Sequence, residues 1–239
     1  MNRRSRATVK GKPEAFTLVE LLVVLAIIAV LSGLILSAVG PVRANADVAE
    51  SVSRLRQWGV ALGLYVNDNN GSLPRRGQGV QPLARIDRPT DWFNALPPYL
   101  GSPAYQDLVA SGRKPKPGDK SIFVSPGCTD PGGEYYLSYA MNMNLSPWNL
   151  PEPTMMSQIA NMSFVVFMAE APGQFSSTYP SSRAYSVAAP HRNKGNVLFL
   201  DGHVQTLSAS YLGCGVGDPK HSDVSWLTGT ASDAQAPTY

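Results

Sequence analysis

One long apolar stretch dominates the N-terminal part of the chain. From Leu21 to Val39 the sequence has 19 successive residues without a charge. A helix needs about 20 apolar residues to cross a bilayer, so this stretch predicts a single membrane span. Five basic residues precede it, at Arg3, Arg4, Arg6, Lys10 and Lys12. Because basic residues stay on the cytoplasmic side of a span, we expect a cytoplasmic N-terminus and a head outside the cytoplasm.

After the span, the apolar pattern changes from continuous to periodic. Apolar residues recur every three or four positions between Val48 and Val66, which is the spacing of one face of a helix. We expect this face to pack on the protein's own head. Pro41 lacks a backbone N–H and predicts a kink or a local break. The turn formers Asn-Asp-Asn-Asn-Gly at 67–71 predict the end of the helix.

Short apolar runs in the second half predict a sheet. Strands are predicted at Ile122–Val124 and Ser163–Glu170. Two more, Val197–Leu200 and His203–Leu207, flank Asp201-Gly202, a dipeptide that favours a two-residue type I′ hairpin. A long helix followed by strands predicts an α+β fold, in which a transmembrane N-terminal helix packs on an antiparallel sheet. The 21 glycines and 20 prolines among 239 residues predict loop-rich insertions in the head.

The charge balance does not favour a nucleic-acid partner. The whole chain has a formal net charge of +3, but residues 1–15 contain five of the 20 basic and one of the 17 acidic residues. The remainder is therefore near −1, without the overall basic character of a nucleic-acid-binding protein.

Glu20 is the one charged residue next to the apolar run, and three hypotheses address it. A secretory signal peptide would end at Ala44-Asn45-Ala46, before Asp47, although its apolar region should be only 7–15 residues long. An uncleaved anchor explains the length of the run but not the carboxylate. The third hypothesis is a specific processing motif.

Residues 15–20 read Ala-Phe-Thr-Leu-Val-Glu and follow a short basic leader. This segment closely resembles the prepilin processing motif of type IV pilins and type II secretion pseudopilins. The resemblance implies that a membrane prepilin peptidase cuts between Ala15 and Phe16 and that the new N-terminus is methylated. The family usually has glycine where this chain has Ala15, and Glu14 is unusual in its leader.

Cleavage would provide Glu20 with a cation. A carboxylate in lipid costs about 2.5–3.5 kcal/mol on insertion scales, so it needs a partner. The amine of Phe16, created by the cut, could pair with Glu20 of a neighbouring copy. Such pairing would offset the desolvation and set the axial register of a helical stack.

A second resemblance lies near the C-terminus. His191 is followed by nine residues and then by Asp201-Gly202, which matches the H-x9-DG pattern of a family of bacterial prepilin-like proteins. The blocks Ser-Pro-Gly-Cys-Thr-Asp, Ser-Tyr-Ala-Met-Asn and Gly-Asn-Val-Leu-Phe-Leu-Asp-Gly-His-Val are similar to blocks of that family. The resemblance implies an H-x9-DG region at about 185–210.

The sequence contains only weak candidates for a metal site. His191, Asp201 and His203 have suitable ligand atoms, and Glu170 could join them. However, the hairpin turn already explains Asp201, so a structural use is favoured. The Asn/Asp cluster at 67–71 could bind calcium but lacks the spacing of a hand-type loop. No nucleophile or phosphate-binding motif is present, so we expect neither an enzyme nor a cofactor.

The two cysteines leave two alternatives. Cys128 and Cys214 could form a disulfide in an oxidising compartment, which would contribute about 4 kcal/mol in the chain-entropy model. Alternatively, they are two separate buried thiols.

Together these patterns predict four segments. They are a basic leader at 1–15, a transmembrane and assembly helix at 16–40, the outer half of the helix at 41–66, and a pilin-like head at 67–239. We expect a pseudopilin-like or minor-pilin-like subunit of the inner membrane, with a head on the periplasmic side. Its expected partners are the prepilin peptidase and other pilin or pseudopilin subunits. The alternative is a monomeric, membrane-anchored binding protein with an extracytoplasmic head.

Overall fold

A computed structural model describes residues 16–77, 83–130, 133–146, 154–180, 187–215 and 217–229. The chain divides into two compact units, Met1–Arg43 and Ala44–Tyr239. The leader at 1–15, including Ala15, lies outside the described residues. Each unit is described below by itself.

The first helix, α1, spans Leu18–Asp68 and includes the whole apolar run. All the described residues from 16 to 36 are exposed in this chain, which leaves an apolar surface along this part of α1. Of the kink or local break predicted at Pro41, the break is wrong, because the helix continues through this residue, whereas the kink stays a prediction. A proline removes one intrahelical hydrogen bond, and the hydrogen bonds on either side keep the helix intact.

The second unit begins with the remainder of α1, whose periodic face packs on the head as predicted. Leu55, Trp58, Ala61 and Leu62 are buried. The Trp58 indole donates a 3.1 Å hydrogen bond to the Ile122 carbonyl. The helix ends where the turn formers predict, and two glycine-like conformations follow it, at Asn70 (φ 55°) and Gly71 (φ 83°).

Within the described residues after α1, the head contains three short α-helices, α2 (Trp92–Ala95), α3 (Tyr105–Ala110) and α4 (Ala209–Leu212). Short 3-10 helices cover Pro97–Leu100, Met143–Leu145 and Met156–Gln158. These elements are separated by long irregular stretches, so the predicted loop-rich head is confirmed.

In the part of the head that the structure describes, five strands form one sheet in the order β3-β1-β2-β4-β5. Their bounds are β1 Tyr139–Asn142, β2 Val166–Glu170, β3 Ser177–Thr178, β4 Lys194–Phe199 and β5 Val204–Ser208. All pairs are antiparallel except β1 and β3, which run parallel. The α+β prediction is therefore confirmed, whereas the sheet is mixed rather than wholly antiparallel. The exception is a two-residue strand at the edge, too short to give a signal in the sequence.

The strand predicted at Ile122–Val124 is wrong. Phe123 and Val124 are fully buried, but they lie in a turn in which the Val124 N–H donates to the Ser121 carbonyl. The Trp58 and Phe123 rings lie 5.6 Å apart. These apolar residues therefore serve the core beneath α1 and not a strand.

The β4–β5 hairpin is confirmed, but its turn differs from the predicted one. The Phe199 N–H donates to the His203 carbonyl at 2.9 Å, which closes a three-residue loop. Within this loop only Gly202 has a positive φ, at 91°. The loop consists of residues 200–202 and begins at the buried Leu200, one residue earlier than the Asp-Gly signal suggests.

Candidate functional site

The N-terminal motif forms a helix cap. The Glu20 Oε2 atom accepts hydrogen bonds from the Thr17 backbone N–H at 2.8 Å and from the Thr17 hydroxyl at 2.7 Å. In return, the Glu20 N–H donates to Thr17 Oγ1 at 3.2 Å. This reciprocal arrangement is a capping box, with Thr17 as the N-cap of α1. Glu20 therefore has a local hydrogen-bonding role as well as a charge.

Sequence reasoning missed this role of Glu20. It searched for a basic partner and found none, although Thr17 and Glu20 have the Thr-x-x-Glu spacing of a capping box. In the structure Oε1 of Glu20 makes no hydrogen bond within the described residues. Phe16, two residues before α1, is 75% exposed.

A buried carboxylate lies at the centre of the head. Glu170, the last residue of β2, is fully buried. Its Oε1 accepts hydrogen bonds from Ser51 Oγ and Ser125 Oγ, both at 2.5 Å, and contacts His191 Nε2 at 2.8 Å. Its Oε2 accepts the Asn196 N–H at 2.7 Å. A buried charge is tolerated when donors surround it in this way.

The Glu170 cluster joins distant parts of the head. Ser51 comes from α1, Ser125 from the loop before β1, His191 from the turn before β4, and Asn196 from β4. A carboxylate that receives hydrogen bonds from four such elements fixes their relative positions. We therefore assign a structural role to this cluster, and the His191–Glu170 contact is consistent with the structural use that the sequence favoured for His191.

The Glu170 cluster also affects two neighbouring groups. Burial, and then the charge of Glu170, raises the pKa of the Tyr139 hydroxyl and of the Cys128 thiol. Both groups are thus kept protonated at neutral pH. The Cys128 thiol lies 3.7 Å from the Ala171 carbonyl.

The weak metal candidates do not all meet at one site. His203 Nδ1 lies 2.6 Å from Asp201 Oδ1 at the partly exposed end of the β4–β5 hairpin. The His203 ring stacks on Phe199, whereas the buried His191 is hydrogen-bonded to Glu170. Across the described part of the chain, no three His, Cys, Asp or Glu side chains form a group that could hold a metal ion. The 67–71 segment caps α1, with Asn69 Nδ2 donating to the Tyr65 carbonyl at 2.8 Å.

Both cysteines are free thiols in the structure. Of the two alternatives that the sequence left open, the structure contains the separate thiols and not the disulfide. Cys128 is buried near Ala171, whereas the half-buried Cys214 packs on the apolar cluster around Phe199 and Leu212. Burial raises the pKa of the Cys214 thiol to about 11.

Comparison with protein families gives one match. Residues 12–36 match the family model described as the prokaryotic N-terminal methylation motif. This match contains the Thr17–Glu20 cap and most of the apolar run, and it identifies a prepilin-type N-terminus. Together with the long N-terminal helix and the α+β head, the match supports a pilin-like protein.

The match covers about a tenth of the chain. The H-x9-DG resemblance lies outside it and stays a prediction. Comparisons with curated proteins and with solved structures found no significant match. Among the described residues, α1 is the one helix long and apolar enough to cross a membrane, which is consistent with membrane anchoring.

Proposed function

We propose that this chain is a structural subunit that assembles through α1 into a type IV pilus or a type II secretion pseudopilus. A pilin-type subunit processed by a prepilin peptidase is supported by the methylation motif at residues 12–36. The observation that carries the assembly step is the arrangement at Glu20. Its carboxylate caps the helix within the chain and still has one oxygen without a hydrogen bond among the described residues.

The two oxygens of Glu20 suggest a division of roles. Oε2 satisfies the Thr17 N–H, so the helix start is stable before any partner binds. Oε1 can then accept a hydrogen bond from the charged amine that cleavage creates at Phe16 of a neighbouring subunit. Neutralisation of a carboxylate in lipid recovers a cost of about 2.5–3.5 kcal/mol and ties the position of one helix to the next.

Before assembly, the subunit would reside in the inner membrane as a single-pass protein with its head on the periplasmic side. The exposed apolar surface between residues 16 and 36 would contact lipid in this state and other subunits in the fibre. The partners would be the prepilin peptidase, which also methylates Phe16, and other pilin or pseudopilin subunits. The role is structural and not catalytic.

Two variants separate the charge of Glu20 from its capping role. Glu20→Gln removes the charge but keeps a capping box, because glutamine also serves at this position. Thr17→Ala removes the cap but keeps the charge. We expect Glu20→Gln to insert into the membrane and be processed, yet to fail to form sedimentable fibres, whereas Thr17→Ala still assembles. Normal assembly of Glu20→Gln would refute the proposed charge pairing.

A further inference from the structure

The second unit contains a cavity of about 530 Å³ that the assembly role does not use. On one side lie residues 44–48, the first residues of α1 in this unit. On the other side lies the turn that leads into β4. Six polar residues line the cavity: Asn45, Asp47, His191, Arg192, Lys194 and Thr206.

The described part of the head offers no counter-charge to Asp47, Arg192 and Lys194, which line this cavity. Neither Arg192 nor Lys194 makes a side-chain hydrogen bond or an ion pair with any described residue, and the same holds for Asp47. Two cations against one carboxylate give the cavity a net positive charge. A guanidinium and an ammonium that face one cavity suit a phosphate group, which the guanidinium can bind through two hydrogen bonds.

The turn holds Arg192 in an unusual conformation. Arg192 and Asn193 both have positive φ angles, of 51° and 62°. Reciprocal backbone hydrogen bonds between His191 and Lys194, of 2.9 and 3.1 Å, close the turn around them. A left-handed conformation is unfavourable for arginine, so the surrounding contacts impose this geometry.

The wall beside Arg192 is rigid. His191 is anchored to Glu170 through Nε2, which fixes the plane of its ring. A Cβ atom at Gly127, which also lines the cavity, would lie 2.7 Å from His191 Cε1. Only glycine at this position leaves the ring edge uncovered, so this wall of the cavity is formed by fixed groups.

The cavity also lies near the membrane anchor in sequence. Ala44 and Asn45, in its wall, follow Val39, the last residue of the apolar run, by five and six positions. Residues so close to a span stay near the headgroup layer, where phosphate groups are concentrated. We propose that this cavity binds the phosphate group of a phospholipid headgroup.

The test uses the full chain in a neutral detergent and follows its thermal unfolding. A ligand that binds the folded state raises the unfolding temperature, and at a given concentration a tighter ligand raises it more, because the stabilisation grows with the logarithm of concentration over dissociation constant. The probes are short-chain phosphatidylglycerol, inorganic phosphate, and a diacylglycerol without phosphate. We expect stabilisation by phosphatidylglycerol, and neither of the other two probes should reproduce it at the same concentration.

Substitutions assign this effect to the cavity. Lys194→Ala should weaken the binding of phosphatidylglycerol about tenfold, since a hydrogen bond to a charged group contributes about 1.5 kcal/mol or more. Arg192→Gly should do the same, and glycine suits the left-handed turn. Lys120→Ala removes an equal charge from an exposed site elsewhere and should leave binding unchanged.

Three results would overturn the proposal. One is the absence of stabilisation by phosphatidylglycerol, and another is an equal effect of diacylglycerol. The third is equal binding by Lys194→Ala and Lys120→Ala. If inorganic phosphate stabilises the chain as well as the lipid does, the lipid source is wrong and the site takes a soluble anion. None of these outcomes depends on fibre assembly. The proposed function is tested by the assembly of the Glu20 variants, so the two proposals can fail independently.

Discussion

Glu170 and His191, 21 residues apart in the chain, meet in the interior of the head through a 2.8 Å contact between Oε1 and Nε2. Neither side chain is more than 3% exposed. Because a carboxylate can only accept, Nε2 of His191 carries the hydrogen of this contact. The pair thus connects the end of β2 to the turn before β4.

We predict that Glu170→Gln destabilises the head. Glutamine keeps the shape of the side chain but replaces one acceptor oxygen with an NH2 group, which is itself a donor and cannot accept the hydrogen bonds that the oxygen received. The free energy of unfolding should fall by about 2–4 kcal/mol, since several buried donors lose their acceptor. Urea denaturation of the full chain in detergent, followed by near-UV circular dichroism, measures this change. The exposed Glu134→Gln should change it by less than about 0.5 kcal/mol. Equal stability of the two variants would contradict a central role for Glu170.

Two glycines of α1 should respond differently to alanine. At Gly63 an added Cβ would meet nothing within 4 Å, so Gly63→Ala should stabilise the helix by about 0.5–1 kcal/mol. At Gly59 the Cβ would lie 3.1 Å from Leu198 Cδ1 and 3.4 Å from the Gly202 Cα. Leu198 is fully buried and has little room to move, so Gly59→Ala should gain nothing or lose stability. The denaturation midpoints of the two variants measure this difference. A larger gain in stability for Gly59→Ala than for Gly63→Ala would show that α1 is not tightly packed at Gly59.

The pH dependence of stability should include a contribution from Asp91. This carboxyl is fully buried, and burial raises its pKa to about 6, despite the Arg88 Nε atom 3.2 Å from Oδ2. The folded state therefore holds this proton more tightly than the unfolded state, whose carboxyl titrates near 3.8. The contribution of Asp91 is most favourable below about pH 4 and is lost as the pH rises through 6.

Asp91→Asn should remove this contribution. At pH 7 the variant should be more stable than the wild type by about 1–3 kcal/mol, because each unit of pKa shift corresponds to about 1.4 kcal/mol. At pH 4 the two should be nearly equal. Unfolding free energies measured across this range test the sign. A variant that is less stable at pH 7 would mean that the Arg88 pair outweighs the burial.

The mature N-terminus distinguishes the processing hypotheses directly. When the chain is expressed with a prepilin peptidase, mass spectrometry should find a methylated Phe16 as the first residue. Ala15→Gly should be cut at least as fast, because the family usually has glycine before the cut. An N-terminus at Asp47 would instead establish a secretory signal peptide.

Strong local signals were enough to predict much of the fold. The uncharged run after Glu20, the periodic face that ends at Val66 and the β4–β5 hairpin could each be read from neighbouring residues. The sequence could not show that Phe123 lies in a turn, because burial under Trp58 gives an apolar residue the same signal as a strand does. The edge strand β3 has only two residues, which is too short to show the alternation of apolar and polar residues that predicts a strand.

The interior of the head was less accessible to sequence reasoning. The Glu170 cluster combines residues as far apart as 51 and 196, and no local pattern joins them. A type I′ turn was predicted at Asp201-Gly202, yet two successive positive φ angles occur at Arg192 and Asn193 instead. Arginine carries no turn signal, and only the surrounding structure places it in such a conformation.

The cap formed by Thr17 and Glu20 has a consequence for maturation. Both residues lie on the C-terminal side of the expected cut, so the peptidase removes the leader without breaking any of the cap's hydrogen bonds. Precursor and mature subunit would then share one helix start. Proteolysis would have to expose only a new terminal nitrogen, with no refolding of the segment that inserts into the growing polymer.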